Sequence, residues 1–420
     1  MQHDGQWSLV YHLDYGDSGA VGVIRHHRGQ TTVGRIDSIA EGTGSLMFLG
    51  LDGSDRCLMT ERGSNTITGQ AAFPSGAQGS YAYPDLRQDR LWFVSDGDPK
   101  TGCDVGTCGD QGSSVTIVDR AGSDAEILKT LCVGKGHHVT AFVYPDQNHG
   151  DFAPKAYVSN LLSGSISVVG NDPADADSYL KIIKTIDLLE ADRDPESQPG
   201  EDNNAFPHGK VYSPVTGRVY CLNNGYGTVA VINPVTDEIE KRIDLKMSSN
   251  LLLSPDGRYL VGKGADRKSD PEHVVGRISL TDVTTGEQVC TLDLPDIYPS
   301  TYRFNPAGDR LYVTSAATGK GAQRDNIRKD IVQVYDARSF PKLELIREIE
   351  VGIADCGRRP IGFLVGATGE DQRVFVPNPT DGTLTMLAGE DDSPQVTLKI
   401  SDEPIEEFSF SIWRKDISAC

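Results

Sequence analysis

The sequence predicts an all-β fold built from one repeated unit, and three observations predict it. A phrase returns along the chain: a polar lead-in, a short apolar strand, Ser-Pro or Asn-Pro with Gly, then a second apolar strand. Each copy runs on through two further strands. All of them alternate apolar with polar residues between Gly, Pro, Asp or Asn, the pattern of a four-stranded antiparallel meander. The two ends also complement each other: Trp7-Ser8-Leu9-Val10-Tyr11 stands in a second-strand position, and Glu407-Phe408-Ser409-Phe410-Ser411-Ile412-Trp413 supplies the missing first strand. Sheets set radially and closed in this way form a β-propeller, which leaves few exposed sheet edges.

In chain order, weaker copies begin near Gly44 (Leu46-Met47-Phe48, then Arg56-Cys57-Leu58), Gly79 (Tyr81-Ala82-Tyr83-Pro84, then Arg90-Leu91-Trp92-Phe93) and Gly136. The clear copies follow. Phe206-Pro207-His208-Gly209-Lys210-Val211-Tyr212-Ser213-Pro214 leads to Arg218-Val219-Tyr220, and Leu251-Leu252-Leu253-Ser254-Pro255-Asp256-Gly257 leads to Arg258-Tyr259-Leu260. Tyr302-Arg303-Phe304-Asn305-Pro306-Ala307-Gly308 leads to Arg310-Leu311-Tyr312-Val313, and the last unit begins at Arg358. With the composite unit of the two ends the count is eight blades. The unit from about 43 to 76 is short and has no convincing fourth strand, which keeps seven open. Residues 1–420 are read as a single propeller domain with insertions at about 97–112, 172–204 and 318–330. In the second of these, 177–183 reads as a short helix or, from Lys181, as a fourth strand, and its acidic tail 190–202 has the composition of a solvated loop.

Phrases such as Leu311-Tyr312-Val313-Thr314-Ser315, Ala156-Tyr157-Val158-Ser159-Asn160 and Gly227-Thr228-Val229-Ala230-Val231-Ile232-Asn233 resemble the YVTN-type β-propeller repeat. The resemblance is strong from about 130 to 385 and looser elsewhere. It implies the fold far more than the function, since relatives include surface-layer proteins, the propeller domains of nitrous oxide reductase and haem-containing nitrite reductase, dehydrogenase heavy subunits and some lactonases.

Composition narrows the partners. Sixty acidic against forty basic residues give a formal charge of −20, which repels phosphate at long range and argues against nucleic acid and anionic lipid. No apolar run reaches the ~18 residues of a membrane span. The first residues lack a basic-then-apolar leader, so the expectation is either an exported, periplasmic protein whose signal has been removed or a cytoplasmic one. The eight cysteines are too few for a disulfide-built scaffold. Cys57, Cys132, Cys221 and Cys290 read as strand filler, whereas Cys103 and Cys108 share a Gly/Asp-rich loop and are open to a disulfide, a metal or the reduced state, with the disulfide preferred in an exported protein.

In a propeller the lead-ins of all first strands converge at one rim of the channel. The residues at those positions are Gln78, His137 and His138, His208, Asn250, Ser300 and Tyr302, and Arg358 and Arg359. Imidazoles from adjacent units suit a transition metal such as copper or iron, or the axial position of a haem-type tetrapyrrole; equally they suit hydrogen bonding in a wet channel, or general acid–base work. The Arg pair suits a small anionic ligand or a propionate, or pairing with acids such as Asp355. His26-His27 reads as an exposed turn. No phosphate-binding glycine loop, paired CxxC set, CxxCH or nucleophile elbow is present. The leading expectation is a propeller binding a metal or tetrapyrrole through His137, His138 and His208 in a redox or cofactor-handling role. The alternatives are a non-enzymatic protein-interaction scaffold and a lactonase-like hydrolase.

Overall fold

The computed structural model describes residues 7–14, 19–27, 29–35, 38–39, 46–49, 56–60, 66–72, 81–95, 108, 113–119, 126–355, 358–365, 371–410 and 417–418. Their strands form eight sheets, seven of four strands and one of five. Sheet one joins Trp7–Asp14, Gly19–His27 and Gln30–Arg35 to Glu407–Phe410, with Tyr11 opposite Phe410 and Asp14 opposite Glu407. The expected pairing of the two ends is therefore present. Sheet two contains Leu46–Leu49, Arg56–Thr60 and Thr66–Ala72, and its fourth place is taken by Ser38–Ile39, which runs parallel to Thr66–Ile67. Among the described residues, that pair stands where the fourth strand not legible in the sequence of this unit would be.

Sheets three to seven are antiparallel meanders: three over 81–133, four over 137–187, five over 207–244, six over 250–295 and seven over 299–350. Sheet eight contains Gly362–Val365, Asp371–Asn378, Thr383–Ala388 and Pro394–Lys399, with Ile417–Ser418 added beside its first strand. Residues 182–187 are thus the fourth strand of sheet four rather than a helix.

The alternation seen in the sequence is what buries these sheets. Apolar clusters lie face to face between consecutive sheets: Tyr157 and Val168 of sheet four against Val219 and Ala230 of sheet five, and Tyr220 and Val231 of sheet five against Leu251 and Leu260 of sheet six. The series continues from seven to eight through Tyr312 and Phe363, and from eight to one through Phe375 and Leu9. Fourth strands such as Glu238–Asp244 and Glu344–Glu350 are mostly exposed. From sheet two to sheet six the first strands of neighbouring sheets lie side by side, so these sheets present their first strands to one another while fourth strands lie outside.

A polar clasp repeats between sheets. Lys155 and Tyr157 of sheet four reach Asp237 in the last turn of sheet five, at 2.6 and 2.5 Å. Arg310 and Tyr312 of sheet seven reach Asp392 in the same turn of sheet eight. Both aspartates have positive φ, 55° and 60°, where glycine is normally favoured. Sheet six has Gly286 at this turn position, and there Tyr220 donates to the Val283 carbonyl at 3.1 Å instead.

The cysteines need a correction. Cys108 is bonded to Cys132, not to Cys103, which lies outside the described residues. Cys132 is exposed on the outer strand Glu126–Val133, so its thiol faces away from the core and toward the insertion that carries Cys108. Thiol titration of denatured, unreduced protein should give two fewer free thiols than after reduction, and a Cys132→Ser variant should abolish the difference.

Candidate functional site

The first strands begin with a repeated irregularity. The pairing register slips between His137 and Thr140 in sheet four, between Pro207 and Lys210 in sheet five, and between Pro299 and Tyr302 in sheet seven. Such bulges re-aim side chains at sheet ends. Register makes His138, His208 and Ser300 equivalent. Counting back from the Gly362–Phe375 pair puts Arg359 at the same place in sheet eight. Gln78 lies outside the described residues, and of His137 and His138 only the backbone is described.

The bulges of sheets four and five are tied together by Lys210. Its Nζ donates to the Val139 carbonyl at 2.8 Å and to Ser159 Oγ at 2.5 Å, while the Val139 N–H donates to the same hydroxyl. The residue after His138 is thus anchored to the residue two after His208. Burial pulls the Lys210 pKa down to about 8 and pushes the Cys221 thiol up to about 11. On the other side, Gly209 is required by close approach: a Cβ there would come within 2.4 Å of the Leu251 amide and 2.5 Å of Asn250 Oδ1. Asn250 Oδ1 accepts its neighbour's N–H at 2.7 Å. His208, half-buried, therefore sits between the strands that carry His138 and Asn250.

Two expected ligand-binding residues are placed otherwise. Tyr302 is 3% exposed in the apolar cluster between sheets six and seven, and its hydroxyl donates to the Val261 carbonyl at 2.7 Å. Arg359 is 0% exposed; its guanidinium turns away to the carbonyls of Gly352, at 2.5 Å, and Ile331, at 3.4 Å. Burial lowers its pKa to about 9. It is a strut between sheets seven and eight, not a receiver of ligand at the mouth. Arg358 is exposed at the rim. His26 is buried, with Nδ1 2.9 Å from Thr31 Oγ1, rather than in an exposed turn.

Residues 188–204 and the loops 267–274 and 316–330 stand on the same rim as these lead-ins, whereas residues 171–181 join the third and fourth strands of sheet four at the opposite rim. Residues 188–204 follow the fourth strand of sheet four; Asp192, Glu196, Glu201 and Asp202 are exposed as a solvated loop requires, while Glu190 and Asp194 are buried fasteners. Glu190 accepts from Thr228 and Arg242, and Asp194 from the Asn204 amide and Tyr226. The loops 267–274 and 316–330 are stitched to each other through Gln323 to the Arg267 carbonyl, Asn326 to the Glu272 carbonyl and Arg267 to Thr318. Of insertion 97–112 only Cys108 is described. Sequence reasoning missed Lys210 and Lys263; the available signal was a lysine inside a strand that is otherwise apolar or glycine-rich.

Among the described residues no three His, Cys, Asp or Glu side chains come together as a metal ion would require. No family model matches the chain, and no curated protein matches its sequence. Solved structures do match by shape. A Lactobacillus plantarum protein aligns over 97% of this chain and 99% of its own, with TM-score 0.57 and 16% identity. A Bacteroides uniformis protein provisionally assigned as a 6-phosphogluconolactonase aligns over 96% and 99%, with TM-score 0.54 and 14% identity. The dihydro-heme d1 dehydrogenase NirN, in complex with DHE, aligns over 86% of this chain and 65% of its own, with TM-score 0.56 and 13% identity. At these identities the likeness establishes the fold: the chain is built as a β-propeller.

Proposed function

We propose that the chain is an eight-bladed propeller, closed by the sheet that its two ends share, which holds a haem-type tetrapyrrole at the lead-in mouth in a redox or cofactor-handling role. The observation that carries this reading is the placement of His208 and the His138 backbone at equivalent bulges of adjacent first strands. An axial bond to tetrapyrrole iron needs one imidazole, whereas a copper or other metal centre needs several converging donors, which the described residues do not bring together. When bound, the group would supply redox chemistry at its iron. The chain would hold the group through the His208 imidazole, with His138 as the second candidate.

The likeness to NirN supports this reading at the level of fold. The Cys108–Cys132 bond supports an exported, periplasmic location, because disulfides persist in oxidising compartments. A lactonase-like hydrolase is the second reading, favoured by the likeness to the Bacteroides protein along nearly the whole chain. Like the protein-interaction scaffold, it requires no chromophore.

Titration of the full-length protein with haem, followed by the Soret band, tests the proposal. His208→Ala is expected to weaken uptake by roughly ten- to a hundredfold or more, the scale on which even supporting residues of metal sites act, while melting within a few degrees of the parent. Absence of uptake by the parent, or unchanged uptake by both His208→Ala and His138→Ala, would overturn it.

A further inference from the structure

The second strand of sheet six, Tyr259–Asp266, carries a cation with no acidic partner among the described residues. Lys263 is partly buried; its Nζ donates to the carbonyls of Pro299, at 2.9 Å, and Ser300, and lies 5.8 Å from the centroid of the Tyr302 ring. No ion pair forms between it and any described carboxylate.

Ser300 connects this amine to a second cation. While its carbonyl accepts from Lys263, its Oγ accepts the Arg359 N–H at 2.9 Å, and Thr314 Oγ1 donates to the Arg359 carbonyl at 2.7 Å. The backbone of 358–359 is therefore fixed against Ser300. The Arg359 side chain turns inward to its carbonyl partners, whereas Arg358 is exposed and close enough for its charge to act on Lys263.

Placing an ammonium where water is thinned and a like charge is close costs free energy, and in a chain of net charge −20 acids to neutralise it are plentiful elsewhere. An unpaired lysine beside an arginine, both on backbone pinned by hydrogen bonds, is an arrangement made favourable by an anion that bridges them. We propose that Lys263 and Arg358 bind the carboxylate or phosphate group of a small ligand at the lead-in rim of sheets six to eight, with Ser300 setting their spacing. The proposal gives the acidic group of the ligand in the preceding reading its place, and replaces Arg359 in that role.

Among the described residues, the charged and titratable groups facing the Lys263 amine are Arg358 and Tyr302. Burial and the Arg358 charge bring the lysine pKa down to about 7. The protonated form is the one that attracts an anion, so affinity should fall as the pH rises through that value.

The test is calorimetric titration of the full-length protein with inorganic phosphate and with succinate. At least one probe should bind, more weakly on the alkaline side of about 7. Lys263→Met and Arg358→Gln should each weaken it by roughly ten- to a hundredfold, as for loss of a charged hydrogen bond. Lys263→Arg should retain binding and lose the pH dependence. Arg358 is exposed, so its variant keeps the test decisive if Lys263→Met fails to fold. Neither probe binding, or Arg358→Gln binding as the parent does, would overturn the proposal. Because the probes carry no tetrapyrrole, failure of haem uptake with anion binding intact would sink only the preceding reading.

Discussion

Deletion of residues 404–420 is expected to unfold the chain or lower its melting temperature drastically. Trp7–Asp14 would lose the strand that completes its ladder, Glu407–Phe410, and would expose a long edge of unpaired backbone groups. The apolar loss is larger still. Phe408 is buried and stacks on Tyr11 at 5.4 Å, Phe410 packs edge-on against Phe408 at 4.8 Å, and Ile405 is fully enclosed in the same cluster. Removing one buried Phe side chain costs about 3–5 kcal/mol, and whole domains are stable by only about 5–15 kcal/mol. Loss of Phe408 and Ile405, with the partly buried Phe410 and their ladder, is comparable to the entire stability. Circular dichroism melts of the deletion and of Phe408→Ala check this; a truncated chain that melts like the parent would refute the role of the shared sheet.

Replacing Asp237 by Ala should cost about 3–5 kcal/mol, the range for leaving one member of a buried ion pair without its counter-charge. Lys155 and Asp237 are 7% and 6% exposed and 2.6 Å apart. Without the carboxylate the ammonium retains only the Pro234 carbonyl, and the Tyr157 hydroxyl loses its acceptor. Asp237→Gly separates charge from backbone: at φ 55° glycine is relaxed, so any stability that Gly recovers over Ala reports the left-handed conformation. Adding Lys155→Met to Asp237→Gly should restore part of the loss by removing the stranded charge. Urea unfolding of the three variants measures each term. An Asp237→Ala protein within about 1 kcal/mol of the parent, the worth of a surface ion pair, would show that the clasp is solvated in solution.

The architecture was legible because it rests on local signals. Alternation and turn residues place each strand within its unit, and a sheet whose neighbours in sequence are its neighbours in space needs little else. The pairing of 407–410 with 11–14 was legible for the same reason, as a missing and a spare strand. Side-chain fates at the rim were not. Arg359 and His208 occupy the same register position, yet one turns into the gap between sheets and the other stays half-buried at the mouth. That choice depends on the carbonyls of Gly352 and Ile331, which belong to another sheet. Cys132 was read as filler because strand alternation does not reveal that an outer strand has no sheet beyond it. Lys263 escaped notice because a lysine in a strand usually marks the solvated face, and here that face meets the Pro299 and Ser300 carbonyls.

The shared sheet also sets a timetable for synthesis. Strands Trp7–Asp14 and Glu407–Phe410 are separated by nearly four hundred residues, so at ~5–20 residues per second the first waits roughly 20–80 s for its partner to emerge from the ribosome. The later meanders close locally as they appear, and the final join is one slow, long-range event. During that interval Trp7–Asp14 is an open edge that accepts any matching strand, including residues 407–410 of a second chain. Crowded synthesis should therefore produce exchanged dimers, each shared sheet completed by the other chain's strand.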